Sequence, residues 1–329
     1  MELSPIANLQ TIHYGRLSDG DKDEAAKLFK AANVDGFFYL HLQGSAFAAL
    51  TEDIEDVFAL SKALFDLSEE EKLRYDIDML GKLKLNGYKP VGRNFGGMSA
   101  RAILSLPATV TASSGVKGNR DGFESYTVLN LLLSSLSTSL GLPPEASLTR
   151  LHRNSAPSPD ILRLLHYLPQ PASETGTPQT PHTDLGSLTL LCTKSPGLQV
   201  LAPHSKEWAH VLTKAGCAIV NIGDGLSLLT GNLLHSCLHR VGPPPGRAME
   251  ERYSLAYLQR TEDDVRMETL PGIKVSGIDA GSSSDGNAAE VYTSKGWLEK
   301  KFGMLRRETW KEGSEGAKIL TGRADGIGV

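Results

Sequence analysis

Cysteine is scarce in this chain, and the few cysteines lack the spacing of a disulfide framework. Cys192, Cys217 and Cys237 are an odd number, and none of them forms a CxxC pair with another. Each lies in an apolar segment, and free cysteine is among the residue types most often buried. We therefore expect three buried, reduced thiols and no structural disulfide.

Long hydrophobic runs are also missing. No stretch approaches the roughly 20 consecutive apolar residues that a membrane-spanning helix requires. The N-terminal residues Met1-Glu2-Leu3-Ser4-Pro5 do not show a basic region followed by a hydrophobic one, as a secretory signal would. We expect a cytoplasmic protein without a membrane partner.

An excess of positive charge is the third absence. Lysine and arginine number 34 against 38 aspartates and glutamates, and the formal net charge is −4. A phosphate backbone requires a basic stripe, which this mixed distribution does not provide, so nucleic acid is not an expected partner. The 329 residues, of which 40% are hydrophobic, are enough for a large core in a soluble globular protein.

The N-terminal third has a mixed pattern of helices and strands. Residues 21–32 have helical composition, 36–40 form an aromatic strand, and 46–65 carry apolar residues at helical spacing. Ser68 and Glu71 have the spacing of a capping box that begins the next helix. Residues 82–101 are irregular and glycine-rich, which favours a loop that lines a pocket; its candidate pocket residues are Asn86, Tyr88, Arg93 and Phe95.

After a core helix predicted for residues 127–140, the pattern changes to short strands. Leu226–Thr230 and Leu233–Val241 are two of these β runs, and turn residues separate them. The other runs are 161–168, 188–193, 198–202, 217–222 and 253–259. Many short strands favour a mostly β fold with flanking helices, with a jelly-roll or related barrel as its core. We predict a surface loop for residues 276–287 and a closing helix for residues 290–307.

The strongest chemical signal is a candidate metal site. His182 and Asp184 lie at positions i and i+2, so in a strand both face the same side. A third ligand must come from another strand. His235 and His239 are both candidates, because they are four residues apart and would face the same side of a strand. Strand alternation does not choose between them. Two histidines and one carboxylate on one face of a divalent metal are the ligand set of non-haem Fe(II) oxygenases.

Arg252 and Ser254 form a second i, i+2 pair, 13 positions after His239. A guanidinium beside a hydroxyl is suited to hold a carboxylate at two points. A dicarboxylate anchored there could reach the metal with its other end.

These motifs resemble the signature of Fe(II)/2-oxoglutarate-dependent dioxygenases of the isopenicillin N synthase-like superfamily. The signature comprises His182-Thr183-Asp184, the 55-residue interval from Asp184 to His239, and Arg252-Tyr253-Ser254. Further similar segments are 36–40, 87–88, 197–200 and 221–224, together with Trp208, 229–230 and Tyr167. The resemblance extends from about Pro5 to the closing helix.

The resemblance implies a double-stranded β-helix in which His182, Asp184 and His239 bind Fe(II). It further implies that Arg252 and Ser254 bind the 5-carboxylate of 2-oxoglutarate, with a further contact from Tyr167. Residues 1–110 would be a mixed α/β N-terminal region that packs on the core, residues 111–265 the core with its preceding helix, and residues 266–329 a C-terminal loop and closing helix.

The implied activity is oxidation of a C–H bond of a small organic molecule by O2, with decarboxylation of 2-oxoglutarate to succinate. Hydroxylation, desaturation and oxidative cyclisation are all open outcomes, and we expect specialised metabolism as the setting. Two alternatives are a 2-oxoglutarate-independent oxidase resembling isopenicillin N synthase and a metal-stabilised binding protein without turnover. His235 and Tyr257 are two further candidate substrate contacts, besides the four pocket residues named above. The sequence leaves the oligomeric state open.

Overall fold

Two β-sheets flanked by helices make up the computed structural model of the chain. It describes residues 5–42, 48–80, 86–93, 101–107, 121–170, 179–243, 247–273 and 291–304. The strands are β1 (Thr11–His13), β2 (Phe37–His41), β3 (Gly87–Lys89), β4 (Arg101–Pro107), β5 (Ile161–Tyr167), β6 (Gln179–His182), β7 (Leu188–Thr193), β8 (Leu198–Leu201), β9 (Trp208–His210), β10 (Cys217–Ile222), β11 (His239–Val241) and β12 (Arg252–Gln259). The helices are α1 (Tyr14–Ser18), α2 (Lys22–Val34), α3 (Ala48–Asp66), α4 (Glu69–Leu73), α5 (Asp121–Ser139), α6 (Asp224–Leu229) and α7 (Ser294–Met304), with 3₁₀ turns at Pro144–Ala146 and Leu148–Leu151.

The larger sheet has eight strands in the order β1-β2-β10-β7-β12-β5-β4-β3, and the smaller has four in the order β6-β11-β8-β9. All neighbouring strands are antiparallel except β1 and β2. The predicted mostly β architecture with flanking helices is therefore confirmed. Strands from the first 110 residues and from the predicted core share the larger sheet.

The two faces of the larger sheet have different partners because successive side chains in a strand alternate. One face, with Leu190, Val220 and Tyr257, packs against α2 and α5 in the largest hydrophobic cluster. The other face packs against the smaller sheet, as Ile219 and Phe37 do with Val200. The space between the sheets is where a site can form.

Helix starts follow the local sequence. The Asp21 side chain accepts hydrogen bonds from the backbone N–H groups of Asp23 and Glu24, which begins α2 one residue later than predicted. The predicted capping box of Ser68 and Glu71 begins α4. Helix α5 begins at Asp121 instead of Thr127, and its core-facing residues are the fully buried Leu129, Leu132, Leu133 and Leu136.

Two predicted strands are wrong, one of them in part. Leu226–Thr230 lies largely in helix α6, since a short apolar run fits a buried helix as well as a strand. Of the predicted run 233–241, only His239–Val241 is a strand; the backbone N–H of His235 donates to Ala32 in α2 instead of to a sheet neighbour.

Several strands were missed, among them the short β1 and β9. The segment 82–101, predicted to be irregular, contains β3, and β4 begins at its last residue, Arg101. Strand β4 pairs with β5 along its whole length. The closing helix spans Ser294–Met304, and the predicted loop at 276–287 lies outside the described residues.

Within the described residues, no helix combines the length and the apolar character needed to cross a membrane.

Candidate metal centre

One cavity opens between the two sheets. Its wall on the larger sheet consists of side chains from β2, β4, β5, β7, β10 and β12. Its wall on the smaller sheet consists of side chains from β6, β8 and β11. The lining residues are Phe37, Arg101, Ile103, Arg163, Leu165, Tyr167, Gln179, His182, Asp184, Thr189, Leu191, Leu198, Asn221, His239, Val241, Arg252, Ala256 and Leu258.

The three predicted metal ligands meet in this cavity. One donor atom each from His182, Asp184 and His239 lies within 4.8 Å of the others. His182 and His239 face each other across the antiparallel pair β6 and β11, with ring centroids 4.2 Å apart. Of the two parity candidates, the structure brings His239 to the site; His235 does not line the cavity.

Asp184 is held in place by two donors on the larger sheet. Thr189 Oγ1 and Asn221 Nδ2 both donate to Asp184 Oδ2, at 2.6 and 2.8 Å. Burial alone would raise the pKa of Asp184, but His239, His182 and these two hydrogen bonds outweigh it and hold the pKa well below its ordinary value. The carboxylate is therefore ionised, with Oδ1 left for a cation.

His239 is oriented from its other ring nitrogen. Nδ1 lies 3.2 Å from the Cys237 carbonyl oxygen, and donation to that carbonyl leaves Nε2 with its lone pair. The Phe37 ring packs edge-on against the imidazole, with centroids 5.2 Å apart. An imidazole oriented in this way can present Nε2 to a metal ion.

Gln179 borders the candidate metal position, and sequence reasoning did not single it out. Its Nε2 lies 2.5 Å from His182 Nε2, and its Oε1 accepts a hydrogen bond from the Tyr167 hydroxyl at 2.8 Å. It lies three residues before His182 on β6, a position that motif spacing alone does not mark.

The predicted carboxylate clamp lies on the same inner face. Arg252 is 1% exposed, its Nε donates to the Ser195 carbonyl oxygen at 3.2 Å, and its guanidinium lies 4.9 Å from the Tyr167 ring centroid. Its Nη1 is buried with no hydrogen-bond partner among the described residues. Ser254, fully buried two residues later, donates to Thr193 Oγ1 at 3.3 Å. A carboxylate could accept a hydrogen bond from this guanidinium nitrogen.

The structure places the candidate substrate contacts elsewhere. None of Asn86, Tyr88, Arg93, His235 and Tyr257 is among the residues that line the cavity, and Phe95 lies outside the described residues.

Three of these side chains have structural partners. The buried Tyr88 donates to Glu69 at 3.0 Å, Arg93 pairs with Asp76 at 2.6 Å, and Tyr257 donates to Asp160 at 2.9 Å. Tyr88 and Arg93 lie in a segment whose strand β3 was not predicted, so periodicity could not assign their orientation. Tyr257 lies in a predicted strand, and alternation from Arg252 and Ser254 places it on the opposite sheet face.

The donor set fits non-haem iron. Two imidazoles and one ionised carboxylate converge in the cavity, and oxygen and nitrogen ligands suit Fe(II). A fully buried guanidinium with an unpaired nitrogen marks a carboxylate position in the same cavity.

Comparison with known families gives two matches that together cover more than half of the chain. Residues 158–261 match the 2OG-Fe(II) oxygenase superfamily. Residues 5–100 match the family described as non-haem dioxygenase in morphine synthesis N-terminal.

Relatives match over nearly the whole length. The 2-oxoglutarate-dependent dioxygenase frbH of Dothideomycetidae sp. (strain 11243) is 30% identical over 98% of this chain and 97% of its own. The 2-oxoglutarate-dependent dioxygenase gloE of Glarea lozoyensis is 32% identical over 82% of this chain and 84% of its own.

Solved structures share the fold. A full-length Neurospora crassa protein in complex with alpha-KG and 5-formyluracil has a TM-score of 0.72 at 21% identity, over 92% of this chain and 99% of its own. The rice dioxygenase for auxin oxidation has a TM-score of 0.68 at 21% identity, over 96% of this chain and 99% of its own. These likenesses confirm the predicted jelly-roll core.

Proposed function

The chain belongs to the 2OG-Fe(II) oxygenase superfamily, and from this we propose which of its residues hold the iron and the cosubstrate. It is an Fe(II)/2-oxoglutarate-dependent oxygenase that oxidises a small organic molecule with O2. Of the alternatives that the sequence left open, a 2-oxoglutarate-independent oxidase and a binding protein without turnover are both set aside.

We assign Fe(II) to His182, Asp184 and His239. The observation that carries this assignment is the convergence of their donor atoms within 4.8 Å in the cavity between the sheets. Bound there, Fe(II) would activate O2 for attack on a C–H bond. The protein holds Asp184 with Thr189 and Asn221, so that one carboxylate oxygen stays directed at the cation.

We assign the 5-carboxylate of 2-oxoglutarate to Arg252, with Ser254 and Tyr167 beside it. A buried guanidinium with an unpaired nitrogen costs stability unless an anion pairs with it, which supports this role. The Tyr167 ring packs against the guanidinium and restricts its orientation. Apolar side chains such as Leu191 and Val241 exclude water from the same space.

We propose specialised metabolism as the setting. The match of residues 5–100 to the family described as non-haem dioxygenase in morphine synthesis N-terminal supports this proposal. A cytoplasmic location and the absence of nucleic-acid partners stay predictions from the sequence.

An anaerobic titration of the Fe(II)-loaded protein with 2-oxoglutarate tests the assignments. Chelation of iron by the cosubstrate gives a visible charge-transfer band. We expect the band in the wild type, no band in His182→Ala, and a titration at least about tenfold weaker in Arg252→Ala, because a charge-assisted hydrogen bond is worth about 1.5–3 kcal/mol.

Arg240→Ala is the matched control, since Arg240 stacks on Trp208 and does not line the cavity. Its titration should match that of the wild type. A band of full intensity in His182→Ala, or an unchanged affinity in Arg252→Ala, would refute the corresponding assignment.

A further inference from the structure

Two further arginines, Arg101 and Arg163, line the cavity, and neither the iron nor the cosubstrate assignment uses them. Arg101 is aligned with Tyr167 across β4 and β5, and Tyr167 is aligned with Arg252 across β5 and β12. Arg163 faces the same side four residues earlier in β5. Alternation along the strands thus directs all three arginines into one space.

Both arginines have buried nitrogen atoms without partners. Arg101 Nε, Arg101 Nη1 and Arg163 Nε are inaccessible to solvent and have no hydrogen-bond partner in the described parts of the chain. Buried polar groups are nearly always hydrogen-bonded, and an unpaired charged donor is costlier than a neutral one. Three orphaned donors in one cavity indicate a ligand that supplies acceptors.

The two guanidinium groups also affect each other electrostatically. Burial lowers the pKa of Arg163 to about 10, Asp184 acts to raise it, and the positive charge of Arg101 lowers it further. Arg163 is still charged at neutral pH, so two like charges share a cavity wall that also holds apolar Ile103 and Leu165. An anion between or beside them would offset this repulsion and the cost of burying both charges.

The known ligands do not supply that anion. Asp184 is the only acidic side chain among the described residues that line the cavity. Asp184 contributes one negative charge and 2-oxoglutarate contributes two. These three charges balance the two positive charges of Fe(II) and the single positive charge of Arg252. The charges of Arg101 and Arg163 remain uncompensated when iron and cosubstrate are both bound.

We propose that Arg101 and Arg163 bind the carboxylate of the oxidised substrate, which is therefore an organic acid with an apolar body. This inference rests on the proposed function, because it presumes that Arg252 takes the cosubstrate. A planar guanidinium matches a carboxylate in geometry and charge. The apolar remainder of the cavity, including Leu191 and Leu258, suits the hydrocarbon part of such a molecule.

Formate is the probe, because it carries the carboxylate without a carbon skeleton that the cavity could reject. Protein loaded with Fe(II) and saturated with 2-oxoglutarate is titrated anaerobically with formate by calorimetry at constant ionic strength, with formamide as the neutral comparison. We expect saturable binding of formate only. Arg101→Gln and Arg163→Gln, made separately, should each weaken it by about tenfold or more, while Arg240→Gln should not.

The charge-transfer band is recorded for every variant, and it should persist with an unchanged 2-oxoglutarate affinity in both arginine variants. The proposal is overturned if the wild type binds no formate, or if both variants bind it as the wild type does. It is also overturned if the variants lose 2-oxoglutarate affinity in parallel, since the arginines would then serve the cosubstrate.

Two provisions keep this test decisive. Circular dichroism checks that each variant is folded, and Arg163→Met replaces Arg163→Gln if the amide is not tolerated. A wild type without a charge-transfer band would refute the proposed function alone. The same formate titration on the metal-free protein would then still decide the role of Arg101 and Arg163.

Discussion

At the scale of single residues, the site depends on side chains that do not touch a metal themselves. Asp184 Oδ2 accepts hydrogen bonds from both Thr189 and Asn221. These two bonds fix the rotamer of the side chain and therefore the position of its other oxygen. Residues that orient metal ligands commonly contribute about 10–100-fold to metal affinity. The same logic applies to the Cys237 carbonyl behind His239.

Asn221→Ala should therefore weaken Fe(II) binding by about 10-fold or more while leaving the fold intact. Asn221 is 3% exposed, and its amide donates to Asp184 at 2.8 Å, so the substitution frees the carboxylate to rotate. Anaerobic calorimetry with Fe(II) measures the affinity. Asn154→Ala, at an exposed position, is the control; equal affinity in both variants would contradict this role for Asn221.

At the scale of elements, close packing of two loops fixes the position of Asp184. Gly223 and the start of α6 lie against the segment after β6. There the Asp224 N–H donates to the Asp184 carbonyl at 2.7 Å, and the Gly225 N–H donates to the Gly186 carbonyl at 3.0 Å. A Cβ at Gly223 would overlap the carbonyl oxygen of Gly186, and it would lie 2.9 Å from the carbonyl oxygen of Asp184. Glycine permits this approach of two backbones.

Gly223→Ala should lower the melting temperature and weaken Fe(II) binding together, because the loops must separate to admit the methyl group. Thermal unfolding and metal titration on the same samples measure both effects. Gly15→Ala is the matched control, since a Cβ at Gly15 in α1 meets nothing within 4 Å. Retention of wild-type iron affinity in Gly223→Ala would show that the close approach does not position Asp184.

A second element, the 3₁₀ turn Leu148–Leu151, ends at a buried titratable group. His152 is 2% exposed, and its ring nitrogens contact the Leu148 carbonyl and the Ser187 hydroxyl at 2.7 and 2.6 Å. Burial lowers its pKa from 6.5 to about 4, against weaker raising effects of Leu148 and Glu262. The unfolded chain thus binds a proton at a higher pH than the folded protein does.

Stability should accordingly fall as the pH drops from about 6.5 to about 4, with His152 contributing on the order of 3 kcal/mol in total. Urea denaturation at a series of pH values measures this. In His152→Gln the pH dependence over that window should be shallower, whereas His204→Gln, at an exposed turn, should keep the wild-type slope. Identical slopes for His152→Gln and wild type would exclude His152 as the cause.

At the scale of the whole molecule, the sequence predicts the class of fold and the metal-binding motif better than it predicts the other residues that line the cavity. Strand parity places Arg252 with Ser254 in β12, because that relation is local. His182 and Asp184 also meet in the cavity, but β6 ends at His182 and Asp184 lies in the segment after it. The choice of His239 over His235 requires the pairing of β6 with β11, which periodicity does not encode.

The remaining cavity wall follows from long-range pairing. Arg101 enters the cavity only because β4 pairs with β5, and this strand was not predicted. Helix α6 was mistaken for a strand because six residues are too few to separate the two periods. Segments between motifs were therefore the least predictable part of the site.

The central claim is that His182, Asp184 and His239 form the iron centre of a 2-oxoglutarate-consuming enzyme. The most direct measurement is succinate formed from 2-oxoglutarate by purified protein in air, with and without Fe(II), for the wild type and Asp184→Ala. We predict iron-dependent succinate from the wild type and none above background from Asp184→Ala. Equal succinate from both proteins, or none from the iron-loaded wild type, would contradict the claim.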